Sequence, residues 1–441
     1  MMARANLWVL TATIALLPLL VPRGPGQSAP VDAAALLFVA LTLVGLLRRG
    51  RPLHLPAKGA LALIVGASVL ATVVSLSLSD SLLSLLIEAY LILLFLCVAN
   101  ELRGHRRALR VALTVWAVAA LAWAAVFIGF HYHLLPEVLQ QLLVEHSKGG
   151  GYRVSGASKN PNLAASYMMT SFFVLLASPW PRRRLARLAA AGWLLLATWV
   201  TGSNGALLGL VAGVAVLAVA VCLRGSRTRR QRLQVVGVAV AASVLALSAA
   251  LLLVGVPQVG IADVQAVARQ EREGALGASV GRLDRSIGSR LTIWSTAWQG
   301  AGSRMVVGVG PAAARRIPFA TRTLRRGLHN DYLAFLIERG LLGLLGLLAL
   351  CVTVLRWSGR LLAAPPQNDA AGRWRLAGLA GGVVANLLFA TNHESFHFRH
   401  LWLLLGLVWA ASQLVADEEA APDAAVRDPM LMPRELAHAG R

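Results

Sequence analysis

The chain has 441 residues, 57% of them hydrophobic and only 14% charged, with a formal net charge of +22. An ordinary soluble protein carries about 25% charged residues, so a water-soluble multidomain enzyme is excluded. The long runs of Leu, Ala and Val exclude a disordered or fibrous chain as well. A polytopic membrane protein is the class that remains.

A helix needs about 20 apolar residues to cross roughly 30 Å of hydrocarbon. By that measure about twelve spans follow in chain order, at 7–22, 31–47, 60–78, 82–99, 108–130, 162–178, 185–201, 204–223, 233–256, 332–355, 374–392 and 399–416. The first follows Arg4, has no small-residue cleavage site, and reads as a retained signal anchor. The expected fold is all-α, with about twelve transmembrane helices and one large helical loop on the outer side. Residues 1–256 hold spans one to nine and the outer segment 131–161, and residues 257–331 form the large loop. Residues 332–416 hold the last three spans, and 417–441 form a polar, flexible tail opened by Asp417, Glu418 and Glu419. Cys97, Cys222 and Cys351 lie inside apolar runs, so neither a disulfide framework nor a CxxC metal clip is expected.

Basic residues orient the spans. Alternate loops carry Arg48, Arg49, Arg51 and Lys58, then Arg103, Arg106, Arg107 and Arg110, then Arg182, Arg183, Arg184 and Arg187. The same set continues with Arg224, Arg227, Arg229, Arg230 and Arg232, and ends with Arg356, Arg360, Arg373 and Arg375. The opposite short loops are nearly bare. The positive-inside rule therefore puts the basic loops and both termini in the cytoplasm. These basic runs need no nucleic-acid partner; they are orientation signals that also suit contact with membrane lipids.

The loop at 257–331 breaks the pattern, with eleven arginines, no lysine and five acids on the outer face. Long loops do escape the positive-inside rule, so tolerance of arginine is one reading. Arginine is also the better planar donor to phosphate oxygens, and an anionic, phosphate-bearing substrate at the outer surface is the sharper reading.

Candidate chemistry concentrates between Gly288 and Gly346. Arg290 precedes an amphipathic stretch, 290–301, whose Ile293, Trp294 and Trp298 suit a helix on the membrane interface. Gly308-Val309-Gly310-Pro311 reads as a tight turn permitting close backbone approach to a ligand. His329-Asn330-Asp331-Tyr332 sits where the loop enters the tenth span, with Asn330 or Asp331 as N-cap of a helix whose N-terminus suits an anion. Glu338 falls on the same helical face as Asp331, about two turns deeper. His329 alone in this cluster titrates near neutrality, so it is the candidate to take a proton from an attacking sugar hydroxyl. A histidine that only hydrogen-bonds at the interface is the competing interpretation.

The order Gly288-Ser289-Arg290-x3-Trp294, Gly308-Val309-Gly310, His329-Asn330-x-Tyr332-Leu333 and Glu338-x-Gly340-Leu341-Leu342-Gly343 resembles the O-antigen ligase and O-antigen polymerase family. Arg153-Val154-Ser155-Gly156 followed by Asn160-Pro161-Asn162 is similar to the family's segment leading into a central span. The resemblance implies inverting glycan transfer from undecaprenyl diphosphate at the periplasmic face of a bacterial inner membrane. In the ligase branch the acceptor is a sugar of lipid A-core. It implies no cofactor and no metal, with His329 as general base and Arg290 on the diphosphate. Glu338 joins them as a catalytic candidate; Arg153, Asn160, Asn162, Arg285, Asn330, Asp331 and Tyr332 are candidates for substrate binding. One departure stands out: the family's Ser-Arg-Gly is Ser203-Asn204-Gly205 here, so either another arginine, with Arg153 the candidate, supplies the missing charge, or the chain is a divergent branch of the family.

His393-Glu394-Ser395-Phe396-His397 also satisfies H-E-x-x-H, the zinc-protease pattern, and His400 follows. It occupies a short outer turn, where His400 could ligate but at a spacing that resembles no protease site, and Glu418 and Glu419 emerge on the opposite side. An intramembrane protease is therefore a lesser alternative; these residues read as polar interfacial groups or as a lining of the acceptor path above His329. A transporter is the non-enzyme alternative, although two related halves with matching broken helices are not evident. Gly205, Gly209 and Gly213, spaced by four, read as close helix packing.

Overall fold

The computed structural model describes residues 4–19, 28–50, 52–132, 134–136, 155–158, 160–225, 290, 293–317, 327–363 and 370–427. The expected ninth span, 233–256, lies outside them. Among the described residues there is no strand, and eleven long α-helices follow in order, besides a short helical stretch at 293–301. They are α1 (Arg4–Leu16), α2 (Pro30–Arg48), α3 (Lys58–Val73), α4 (Leu78–Leu102), α5 (Arg106–His131) and α6 (Pro161–Ala177). Then come α7 (Arg184–Val200), α8 (Asn204–Gly225), α9 (Asp331–Ala363), α10 (Ala370–Phe389) and α11 (Arg399–Arg427). Each of the other eleven expected spans coincides with one of these helices. Six of them, α2, α4, α5, α8, α9 and α11, are long and apolar enough on their own to cross a membrane.

Local signals start the helices where the sequence places them. Pro30 and Pro161 stand in the first turns of α2 and α6, where a missing N–H costs nothing. Asp32 accepts the N–H of Ala29 at 2.7 Å, and Asn160 accepts the N–H of Asn162 at 2.9 Å. The helices then close on one apolar core that includes Phe38, Phe95, Trp116, Phe173 and Phe389, all fully buried. The glycine stripe of α8 does pack a helix. A Cβ at Gly209 would lie 2.6 Å from the carbonyl of Ala385, and one at Gly213 would lie 2.5 Å from that of Gly381, both on α10.

The bundle has two distinct ends. At one, Arg49 pairs with Glu101 at 3.8 Å, Asn100 donates to the carbonyl of His54 at 2.8 Å, and Arg106 pairs with Glu418 at 3.3 Å. At the other end, Arg399 at the start of α11 pairs with Asp32 near the start of α2, which also accepts from the Tyr90 hydroxyl at 3.0 Å.

α9 departs from the single span the sequence suggests. Its backbone breaks at Gly340, with φ 70° and ψ −171°. The turn Gly308–Pro311 inserts at the break: the N–H of Val309 donates to Ile337 O at 2.9 Å, and that of Gly310 to Glu338 O at 3.0 Å. The N–H of Leu76 donates in turn to Val309 O at 3.0 Å. The carbonyls at the end of the first half of α9 are thereby satisfied by protein, as backbone within a bilayer requires. The expectation that this turn approaches a ligand is corrected here, because its glycines approach the helix. A Cβ at Gly308 would stand 2.3 Å from Glu338 O, and one at Gly340 would stand 2.4 Å from Val306 O. That backbone region is essentially restricted to glycine, and forcing another residue into it costs about 1–3 kcal/mol before any clash. Gly340→Ala is therefore expected to lower the melting temperature of the detergent-purified protein markedly; a wild-type value would show that the break is not built as described.

An ion cluster lies beside the break. Arg339 donates to Glu88 at 2.9 and 3.1 Å, to Ser68 at 3.1 Å and to Glu338 at 3.2 Å, while Ser68 donates to Glu88 at 2.8 Å. The guanidinium also stands over the Phe335 ring, 4.4 Å from its centroid. Helices α3, α4 and α9 are tied together by these contacts.

Candidate active site

The polar start of α9 is docked onto the turn 390–398 that joins α10 to α11. Asn330 is the cap: its side-chain oxygen accepts the N–H of Leu333 at 3.0 Å. Asp331 faces the turn, accepting the Ser395 N–H at 2.6 Å, the Ser395 hydroxyl at 2.8 Å and the Phe396 N–H at 3.3 Å. Its own N–H donates to Ala390 O at 2.9 Å. Four hydrogen bonds through one residue fix the turn against the helix.

Three consecutive residues of that turn then collect the chemistry. Asn392 accepts from the Arg290 guanidinium at 2.8 Å. The His393 ring is buried and stacks on Phe389 with centroids 4.6 Å apart. Glu394 accepts the backbone N–H of His329 at 2.9 Å. The His329 and His393 rings stand edge to face, 6.1 Å between centroids. His329 is left-handed, with φ 52°, and Gly327 reaches φ 98°. A Cβ at Gly327 would lie 2.7 Å from the Glu394 carboxylate, so glycine is what lets the chain pass over it.

The first turn of α8 closes another side. A Cβ at Gly205 would lie 3.3 Å from the His393 ring and 3.5 Å from Asn392. Next to it, the buried Ser203 hydroxyl and Asn204 side-chain oxygen have no hydrogen-bond partner among the described residues. Beneath the site, residues 293–301 are helical. Ile293, Ala297 and Ala301 are buried against Val309, Ala313, Ile317, Leu328 and Ile337, and the Trp294 indole donates to Leu328 O at 2.9 Å. Trp298 stays exposed on the opposite side of this short helix.

Electrostatics follow from this packing. Burial holds the Arg290 guanidinium below the ordinary arginine value. His397 keeps an accessible ring, yet the protein packed around it holds its pKa down. Arg315, Arg339 and Arg399 act in the same direction, and Glu394 opposes them.

The structure brings His329, Arg290, Asn330 and Asp331 around one turn. Other candidates have different surroundings. Glu338 is buried in the ion cluster with Arg339. The Tyr332 hydroxyl donates to Leu387 O of α10 at 3.0 Å. Asn160 caps α6, with Asn162 in the same first turn. Arg153 and Arg285 lie outside the described residues. Asn392 is the residue sequence reasoning did not connect to the site, and Glu394, read there only as lining the path above His329, holds the His329 backbone itself. Their signal was the H-E-x-x-H run, but that run is turn, not helix, so its histidines lack the one-face spacing a helical zinc motif supplies. Among the described residues, no group of three or more His, Cys, Asp or Glu side chains is placed to hold a metal ion.

These features define an all-helical membrane protein with a polar site at one end of the bundle, framed by a broken helix. Residues 189–348 match the family model described as O-antigen ligase, which supports the O-antigen ligase family and, with it, a membrane glycosyltransferase-like enzyme. That family implies a lipid-linked glycan and a lipid acceptor as substrates in general. The matched stretch contains Arg290, His329 and the break at Gly340; the turn 390–398 lies beyond it. No curated protein sequence matches the chain.

Proposed function

We propose that the protein is an O-antigen ligase: it transfers a glycan from undecaprenyl diphosphate to lipid A-core at the periplasmic face of the inner membrane. The observation that carries this reading is the convergence of Arg290 and His329 on Asn392, His393 and Glu394. In the proposed step the acceptor hydroxyl attacks the anomeric carbon from the face opposite the diphosphate and gives its proton to the His329 imidazole. The glycosidic C–O bond breaks, and its electron pair leaves with the diphosphate, so the configuration inverts. Arg290 and the N-terminus of α8 stabilise the charge gained by the leaving group. Where the family carries arginine, the neutral Asn204 stands at that helix end, and the helix's partial positive charge takes over part of the missing cation's work. The Glu394 carboxylate fixes the left-handed His329 backbone by accepting its N–H. Glu338 acts at one remove, through the ion cluster that holds the broken α9.

Arg290→Lys removes the planar fork that reaches both Asn392 and a phosphate. A hydrogen bond to a charged group is worth about 1.5–3 kcal/mol, so kcat/KM for the donor is expected to fall about ten- to a hundredfold, with the melting temperature unchanged. Unaltered donor use by this variant would remove Arg290 from the site.

Reconstitution in liposomes with a polyprenyl-diphosphate glycan, with and without lipid A-core, in buffer containing EDTA, tests the reading as a whole. Glycan on lipid A-core is the expected product. Elongated lipid-linked glycan instead would make the enzyme an O-antigen polymerase, and no transfer to either acceptor would refute both.

A further inference from the structure

The end of the bundle opposite the site holds a cavity of about 360 Å³ between α5, α6, α10 and α11. Among the described residues, four arginines line it, Arg106, Arg110, Arg182 and Arg375, with one acid, Glu418. Arg106 is paired with that acid at 3.3 Å. The other described residues of the wall are apolar and include Leu109, Leu113, Leu376 and Leu414.

The arrangement is amphipathic along the helix axes. Arg106, Leu109, Arg110 and Leu113 are spaced three and four apart, so they form one face of α5 with its charges nearer the helix end. On α11, Leu414 stands one turn before Glu418 on the same side. A ligand that fits has an anionic head at the rim and hydrocarbon running inward along the leucines. The proposed topology places this rim at the cytoplasmic surface, where anionic lipid is abundant.

We infer that this cavity is a binding site for an anionic phospholipid, whose phosphate is held by Arg110, Arg182 and Arg375 and whose acyl chain follows the α5 and α11 leucines. Orientation signals alone require only basic residues near a helix end. They do not require those residues to converge from three chain segments on one cavity with apolar walls. The inference is independent of the glycan-transfer reading and stands or falls separately.

Native mass spectrometry of the full-length detergent-purified protein tests it, with cardiolipin, phosphatidylglycerol and phosphatidylcholine supplied in equal amounts and inorganic phosphate as a separate competitor. Each arginine near a lipid surface is worth about fivefold in affinity. The anionic lipids are therefore expected to be retained in preference to phosphatidylcholine, and Arg182→Gln with Arg375→Gln to weaken that retention about 25-fold. Glu418→Gln removes the competing anion and is expected to strengthen retention. Opposite signs from these variants cannot come from misfolding. Equal retention of phosphatidylcholine, or variants that leave retention unchanged, would overturn the inference. Displacement by inorganic phosphate as effective as by lipid would reduce the cavity to a plain anion site and overturn the lipid assignment.

Discussion

Replacing His329 with Asn is expected to slow glycan transfer by about 10²–10⁴-fold, the usual contribution of a positioned general base, and to leave the fold intact. The choice of Asn follows from the backbone. His329 sits at φ 52°, a conformation that Asn tolerates and alanine adopts only with strain of about 1–2 kcal/mol. The N–H that Glu394 accepts belongs to the main chain and survives the substitution. Asn can still hydrogen-bond an acceptor hydroxyl, but it cannot take its proton. A slow variant with a wild-type melting temperature therefore separates proton transfer from positioning, whereas a variant as fast as wild type would leave the imidazole without a role.

Arg339→Leu carries the largest expected loss of stability. It leaves the Glu88 and Glu338 carboxylates buried together without their cation. Breaking a buried pair by removing one partner costs about 3–5 kcal/mol, more than the intact pair is worth against an apolar replacement. A large drop in melting temperature is expected, with part of it recovered when Glu88→Gln is added, because one uncompensated charge then disappears. Melting like wild type in the single variant would mean that water reaches the cluster and that it does not hold α9 to α3 and α4.

The helices were legible because hydropathy and helix length are local properties. Pro30, Pro161 and Asn160 marked helix starts for the same reason. The break in α9 was not legible: a glycine inside Glu338-Arg339-Gly340-Leu341 reads as a tolerated helical glycine. What holds its φ is the segment Val306–Pro311, which packs on Gly340 through Val306 and Val307 and caps the preceding turn from another part of the chain. The site divides similarly. His329 and Arg290 drew attention through their own chemistry in a loop rich in arginine. Their contacts with the turn were not legible, because Arg290 meets Asn392 across 102 residues and His329 meets Glu394 across 65. The H-E-x-x-H run pointed at the right segment but suggested the wrong geometry, since its residue types fit a helix that the chain does not form there.

The most direct measurement is chemical rescue. Purified His329→Ala protein is given the polyprenyl-diphosphate glycan and the lipid acceptor, and transfer is followed with and without added imidazole over a range of pH. The predicted result is negligible transfer without imidazole and partial recovery with it, rising with the free-base fraction through a pH of about 7. Transfer at the wild-type rate without imidazole would contradict the assignment of the base and, with it, the proposed chemistry of the site.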